Sequence, residues 1–268
     1  MSADQATYQS LVGDLGALGV RRGQDLLVHS SLRRIGKVAG GAVTVLRALR
    51  TTIGRKATLV VPTQTPANSH SSRAFLASIG GPGPDSLARF RADTPGYDPA
   101  TSPSTGMGVL AEHLRTRPGA MRSAHPQTSF AALGPRAADC VAGHELNCHL
   151  GEQSPLGWLY RADAAVLLLG VGYAACTAFH LAEYLLPGAH RFREYRCFTL
   201  GEGKRRERSF TALDLDDSDF EAVGASMDRE PFARRGRVGT ADCRLFPVRA
   251  AVDFAAAWPP FQDRRTAS

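Results

Sequence analysis

The sequence predicts an α/β fold, a single domain with a central mixed sheet flanked by helices, and three observations carry that prediction. Residues 25–29 (DLLVH) and 57–61 (ATLVV) are short apolar runs on either side of an amphipathic stretch, so strand, crossover helix and strand fall within residues 25–61. Such a βαβ unit pairs its two strands in parallel. A third apolar run, residues 164–170, leads directly into Gly172 and then into a helical pattern over 177–186. Neither an internal repeat nor an interdomain linker interrupts the chain, so residues 1–268 read as one domain. Large α/β folds often reach about 250 residues as one unit.

Tyr8, Leu11, Leu15 and Leu18 recur at helical spacing, which predicts a helix over 8–20 ahead of a turn at 21–24 containing Gly23. Val43, Leu46, Leu49 and Ile53 predict a helix over 42–52 closed by Gly54, and Pro62 stops the strand that follows. Residues 62–105 differ in texture: prolines, Gly80-Gly81, Pro82-Gly83-Pro84 and repeated Ser and Thr predict a long connection with one short helix at 85–91. Long ordered connections in compact domains usually carry function. A helix over 107–115 ends before Pro118-Gly119, and residues 122–134 read as a polar loop entering a strand. Toward the end, RCFTL (196–200) and SFTAL (209–213) are strand-like, while 220–227 and 250–258 are helical.

Hydrophobic residues make up 43% and charged residues 21% of the chain, an ordinary globular balance that supplies a core without covalent staples. No apolar run approaches the roughly 18 residues of a bilayer span. The first twenty residues carry acids and lack the basic and apolar regions of a signal peptide, which predicts a cytoplasmic protein with no membrane partner. Five scattered cysteines form no CxxC pair, so they predict reduced packing residues, neither a disulfide framework nor a zinc knuckle. The net charge of +7 is spread along the chain. Its densest group, Lys204-Arg205-Arg206 with Arg208, sits beside Gly201 and Gly203 and reads as a solvated turn; no nucleic-acid motif accompanies it. A polyanionic small ligand fits the same charge.

Four segments carry candidate chemistry. The first is His29-Ser30-Ser31, followed by Arg33, Arg34, Lys37 and then Gly40-Gly41 opening a helix. A helix start with glycines and nearby cations suits an anion, and an ordinary strand–loop–helix turn has the same pattern. The second, Gly170-Val-Gly172-Tyr-Ala-Ala175, matches G-x-G-x-x-A after a strand and keeps a dinucleotide-binding oxidoreductase open. It falls late in the chain, with Glu194 the sole acid where a ribose would bind. In the third, Thr177, His180, Glu183 and Tyr184 share one helix face, placing hydroxyl, imidazole and carboxylate beyond a strand end. That suits a general base with an orienting acid, as well as a surface His–Glu pair. The H-x-x-E spacing recurs at His149–Glu152, but in a Gly/Pro loop, and the further glutamates of a dimetal bundle are missing; no metal is expected. The fourth, RSAHPQTSFAALG from Arg122 to Gly134, suits hydrogen bonding to a polar ligand or a structural turn.

Taken together and in order, HSSLRRIGKVAGGAVTVLRAL, VVPT, YDPATSPSTGMGVLAEHLRTRPGAMRSAHPQTSFAALG, GEQSPLGWLY, VLLLGVGYAACTAFHLAEY and GRVGTADCRLFPVRAAVDFAAAW resemble the aminoglycoside 3-N-acetyltransferases across nearly the whole chain. The resemblance implies an N-acetyltransferase using acetyl-CoA as co-substrate, with a small-molecule amine as acceptor, neither metal nor nucleic acid as partner, and a homodimer as one allowed assembly. It implies His180 at the reaction centre, Glu183 orienting it, and Asp98 as a second carboxylate. It also implies that Ser30, Ser31, Lys37, Val38, Gly40 and Gly41, with Ser104 and Thr105, hold the pantetheine and phosphates of CoA. An aminoglycoside is the first acceptor implied, another natural-product amine the second. The departure lies in residues 64–96, which hold no tryptophan and few acids. Asp98, Glu112, Glu152 and Glu183 are then the carboxylates available for a polycation, together with Asp85 and Asp93, while the acidic run 214–219 reads as a helix cap.

Overall fold

The computed structural model describes residues 5–69, 71–72, 84–186 and 190–259. Its frame is a seven-stranded sheet with β1 (Leu26–Ser30) at the centre, parallel to β2 (Leu59–Pro62) on one side and β5 (Ala165–Leu169) on the other. Beyond this parallel trio the pairing turns antiparallel. β4 (Phe130–Leu133) and β3 (Met121–Arg122) extend the sheet past β2, and β9 (Ala241–Pro247) and β8 (Arg234–Val238) extend it past β5. The order is β3-β4-β2-β1-β5-β9-β8. The expected mixed sheet is therefore present.

Alternation along the inner strands divides the core in two. Leu26, Val28, Leu167 and Leu169 pack with α1 (Tyr8–Leu18), α3 (Gly41–Ile53) and α5 (Val109–Arg115). Leu27, Val166 and Leu168 pack with α7 (Pro155–Arg161), α8 (Phe179–Leu185), α9 (Phe220–Met227) and α10 (Val248–Ala257). Because parallel strands are covered on both faces, they read as continuous apolar runs. The helices expected over 8–20, 42–52, 107–115, 177–186, 220–227 and 250–258 are α1, α3, α5, α8, α9 and α10, each within two residues of its expected ends. Shorter helices α2 (Leu32–Ile35), α4 (Pro84–Asp93) and α6 (Ala137–Val141) lie in connections. The Gly80–Gly83 part of the long connection lies outside the described residues. Among the described residues no helix is long and apolar enough to cross a membrane.

Local chemistry fixes the ends of these elements. Thr7 and Ser10 exchange capping hydrogen bonds at the start of α1, and Gly19 closes it in the left-handed region. Asp25, 2% exposed, accepts from the Thr58 N–H at 2.7 Å and pairs with Arg136, tying the foot of β1 to that of β2. One expectation changes. The basic group at 204–208 is not a turn but the first half of β7 (Lys204–Leu213), which pairs with β6 (Phe192–Gly201) in a separate two-stranded hairpin. The turn is Glu202-Gly203, both with positive φ, and the Lys and Arg side chains stand exposed on both faces, which hides the strand period.

The hairpin covers three buried histidines. His125 lies with its ring centroid 4.7 Å from those of both His144 and His149, and His149 meets the Tyr195 ring at 4.4 Å. The His125 Nδ1 accepts from the Gln127 and Thr128 N–H groups, and one ring nitrogen of His144 lies 2.8 Å from the His149 carbonyl. Burial pushes His144 down to about 4 and His149 to about 3; His125 is also lowered, first by burial and then by its two neighbours. His29, on β1, is pushed down to about 4 by burial alone. The unfolded chain takes up protons near pH 6.5 that the folded chain refuses, so stability is full above pH 6.5 and falls toward pH 4. Each histidine contributes about 1.4 kcal/mol per pH unit in that window. Urea unfolding should therefore show a marked loss of stability from pH 7.5 to pH 5.5, reduced in His144→Gln; a flat profile would mean that these imidazoles titrate normally in the fold.

Candidate active site

The parallel trio ends on one side of the sheet, where ligands of α/β folds bind beyond the carboxyl ends of strands. A cavity of about 300 Å³ opens there. His29 and Ser30 line it from β1, Val61 and Pro62 from β2, Gln64 from the loop after it, Val171 and Ala174 from the turn after β5, Thr177 from the turn that leads into α8, and His180 from the start of α8. Met107, Asp217 and Phe220 close it.

α8 is set by its apolar residues. Phe179, Leu181 and Ala182 are buried against the sheet and α10, which turns His180 toward the cavity. The His180 Nδ1 lies 2.6 Å from Glu183 Oε1, one helical turn away. Glu183 is 2% exposed, and its other oxygen accepts the Asp216 N–H at 3.1 Å. A carboxylate buried this deeply needs such partners. It makes Nδ1 the protonated nitrogen and leaves Nε2 as the basic one. Phe220 packs edge-on against the imidazole, with ring centroids 4.6 Å apart. Thr177 lies one turn earlier, its Oγ1 3.3 Å from His29 Nε2.

The other residues singled out in the sequence are distributed as follows. Ser30 is in the cavity wall; Ser31 opens α2, its N–H bonded to the Leu169 carbonyl. Lys37 and Val38 pair with the N-terminal segment at Ala6, and Gly40 and Gly41 start α3 in the left-handed region. A Cβ on Gly41 would meet nothing within 4 Å, so the start of this 13-residue helix is open to a ligand. The Ser104 N–H is given to Glu112 at 2.7 Å, and the Thr105 N–H to the Gln64 carbonyl at 2.9 Å. The Asp98 carboxylate accepts from the Ala100 and Thr101 N–H groups, closing a turn. Burial opposes the charge of Glu112, yet its bonds from Arg115 and Ser104 outweigh it and hold the carboxyl down at about 2. Glu152 is exposed beside α7. Thus His180, Glu183 and Ser30 come together, whereas Asp98, Glu112 and Glu152 do not line the cavity.

Gln64 and Asp217 were missed by sequence reasoning. Gln64 stands alone in a loop and carries no pattern. Asp217 belongs to the acidic run read as a cap, and Asp219 does occupy the cap position of α9, but Asp217 faces the cavity. Gly170 and Gly172 do not make a dinucleotide turn. Gly170 has φ +72° and a Cβ there would press on Arg34 and Ala241, and Gly172 leads into a single 3₁₀ turn, Tyr173–Ala175, instead of a long helix. The five cysteines are all buried and free, and burial pushes Cys140, Cys176 and Cys197 up to about 12. None of the described residues lining the cavity is a thiol.

The sequence model of aminoglycoside 3-N-acetyltransferase matches residues 27–259, which include the whole cavity lining and every strand except the first residue of β1. The chain belongs to the aminoglycoside 3-N-acetyltransferase family. It is 39% identical over 253 residues to the aminoglycoside N(3')-acetyltransferase-like protein YokD of Bacillus subtilis, covering 94% of this chain and 92% of that protein. It is 38% identical over 279 residues to aminoglycoside N(3)-acetyltransferase VII of Streptomyces paromomycinus, covering 94% and 91%. Among solved structures, that of AAC-IIIb with CoASH superposes with a TM-score of 0.85 at 29% identity, covering 99% of both chains. The structure of AAC-VIa bound to sisomicin superposes with a TM-score of 0.85 at 30% identity, covering 99% of this chain and all of that one.

α9 packs closely on the Tyr173–Ala175 turn. Gly224 on α9 lies against the Tyr173 ring, where any Cβ would collide with it. Gly224→Ala should cost about 1–3 kcal/mol through overpacking, seen as a lower thermal midpoint; an unchanged midpoint would show that α9 is free to shift.

Proposed function

We propose that this chain is an acetyl-CoA-dependent N-acetyltransferase that acetylates the 3-amino group of 2-deoxystreptamine aminoglycosides, a resistance activity, by direct transfer with His180 as general base. The observation that carries this reading is the His180–Glu183 pair, bonded at 2.6 Å on the wall of a strand-end cavity. The acceptor amine must lose a proton as it attacks the thioester carbonyl, and Nε2 of a histidine oriented through Nδ1 is suited to take it. Glu183 stabilises the imidazolium that results. With every described thiol buried and the cavity lined by none, transfer through an acetyl-cysteine has no support. Two relatives were solved with the ligands this reading requires, CoASH and sisomicin.

Ser30 and Ser31, the Lys37–Gly41 stretch, Ser104 and Thr105 are the groups proposed to hold CoA. The open start of α3 suits a phosphate, with Lys37 adding charge. For the acceptor, the structure favours naming a second reading, another natural-product amine. A polycation calls for several carboxylates. Asp98 and Glu112 are committed to local bonds and Glu183 to His180, which leaves Asp217 as the exposed carboxylate among the described residues lining the cavity.

Thiol release from acetyl-CoA, measured with 2-deoxystreptamine antibiotics, unrelated amino sugars and amino acids, tests both readings. Turnover of the first group with acetylation at N3 supports the proposal; turnover of other amines alone moves the acceptor to the second reading, and silence without CoA binding removes both. Glu183→Gln should lower turnover by about 100-fold or more while leaving CoA affinity nearly intact. Wild-type turnover in that variant would take Glu183 out of the mechanism.

A further inference from the structure

A base alone does not complete acetyl transfer. When the amine attacks, negative charge collects on the thioester oxygen, and a donor fixed in place beforehand lowers the barrier most. Thr177 has the placement for this. The His180 N–H donates to the Thr177 carbonyl at 3.1 Å, so the hydroxyl-bearing residue and the base are joined in one turn, and both line the cavity. Ser30 and Gln64 bring further donors to the lining, but from β1 and the loop after β2, segments separate from the one that carries the base.

The partner of Thr177 is His29, 5% exposed at the end of β1, with Nε2 3.3 Å from Thr177 Oγ1. Burial keeps this imidazole neutral in the physiological range, since it is lowered to about 4. It therefore cannot serve as a charged clamp, and it has one N–H to give. In the tautomer with Nε2 protonated, that N–H takes the acceptor side of Oγ1 and leaves the hydroxyl proton free for the cavity that Thr177 lines.

We propose that the Thr177 hydroxyl donates the hydrogen bond that stabilises the thioester oxyanion, and that His29 is the positioning residue that aims it. This deepens the acetyl-transfer reading and rests on it. As the C–N bond forms, the carbonyl π pair moves onto oxygen and is held by Thr177 O–H without proton transfer. His180 Nε2 takes the proton from the attacking nitrogen. The oxyanion then collapses, the C–S bond breaks, and the departing CoA thiolate takes that proton from His180. Amine and acetyl-CoA become amide and CoA thiol, with no other reactant.

The test reads the carbonyl directly and needs no acceptor. Infrared spectra of [1-13C]acetyl-CoA bound to the wild-type chain should show the thioester C=O band below its position in solution. Thr177→Val should return the band toward the solution value, Thr177→Ser should keep it low, and His29→Phe should leave it broadened between the two. Where an amine is turned over, Thr177→Val should lower kcat by about 100-fold with KM for acetyl-CoA little changed. A wild-type band at the solution position, or the same band in wild type and Thr177→Val when both bind acetyl-CoA, overturns the assignment. Absence of acetyl-CoA binding by the wild-type chain in calorimetry overturns the acetyl-transfer reading and this inference with it. Thr177→Ser keeps the experiment decisive should His29→Phe fail to fold, since it changes only a methyl group.

Discussion

A carboxylate taken out of water must be given partners, and the site is organised around the one at Glu183. At 2% exposure it is held by the His180 ring on one oxygen and the Asp216 N–H on the other. Leaving a buried charge without such bonds would cost several kcal/mol. Three parts of the chain are thereby fixed at once: the face α8 presents, the tautomer of His180, and the path of residues 214–219 returning from the hairpin. The last of these brings Asp217 and Phe220 to the cavity. Phe220 then packs against the imidazole from the side, so His180 is bounded by an aromatic ring as well as tied to an acid.

The sheet supplies the place for this arrangement. Parallel strands β1, β2 and β5 end together, and their carboxyl ends give His29, Ser30, Pro62 and the turn at Val171 to one cavity. The antiparallel flanks add width without adding chemistry to that edge. Further out, Arg122 of β3 reaches Thr63 and Ser129 and lies over the Tyr97 ring, 5.0 Å from its centroid, which anchors the connection that carries Thr105 and Gly106 past the cavity. The buried histidines under the hairpin support the other side. The Tyr184 hydroxyl on α8 meets the Leu150 N–H at 3.4 Å, so the loop carrying His149 braces the helix that carries His180.

The central parallel strands and the amphipathic helices were legible in the sequence because burial dictates their patterns. Strands covered on both faces appear as LLVH, LVV and AVLLL, and amphipathic helices appear by period. The His180–Glu183 pair was legible for the same reason, since i and i+3 on a helix are neighbours wherever the helix lies. β3 and β8 were not visible, because an edge strand of two residues, or one reading RRGRV, has no apolar pattern to show. Only the first half of β7 was hidden, by its exposed basic side chains, while its second half, SFTAL, read as a strand. Within the site, the roles of Asp98 and Glu112 depend on which N–H groups lie beside them, and that is decided by loop geometry with no sequence period. Asp217 and His29 meet the site only through tertiary folding, one from 37 residues after His180 and the other from a different strand.

The central claim is that His180, oriented by Glu183, removes the proton of the acceptor. Chemical rescue measures this most directly: thiol release by His180→Ala with acetyl-CoA and an accepted amine, followed as imidazole is added at several pH values. The account predicts a variant that is nearly inactive alone and recovers turnover in proportion to the free-base imidazole present. Wild-type turnover by the variant without imidazole, or a variant that imidazole leaves unchanged at every pH, would contradict it.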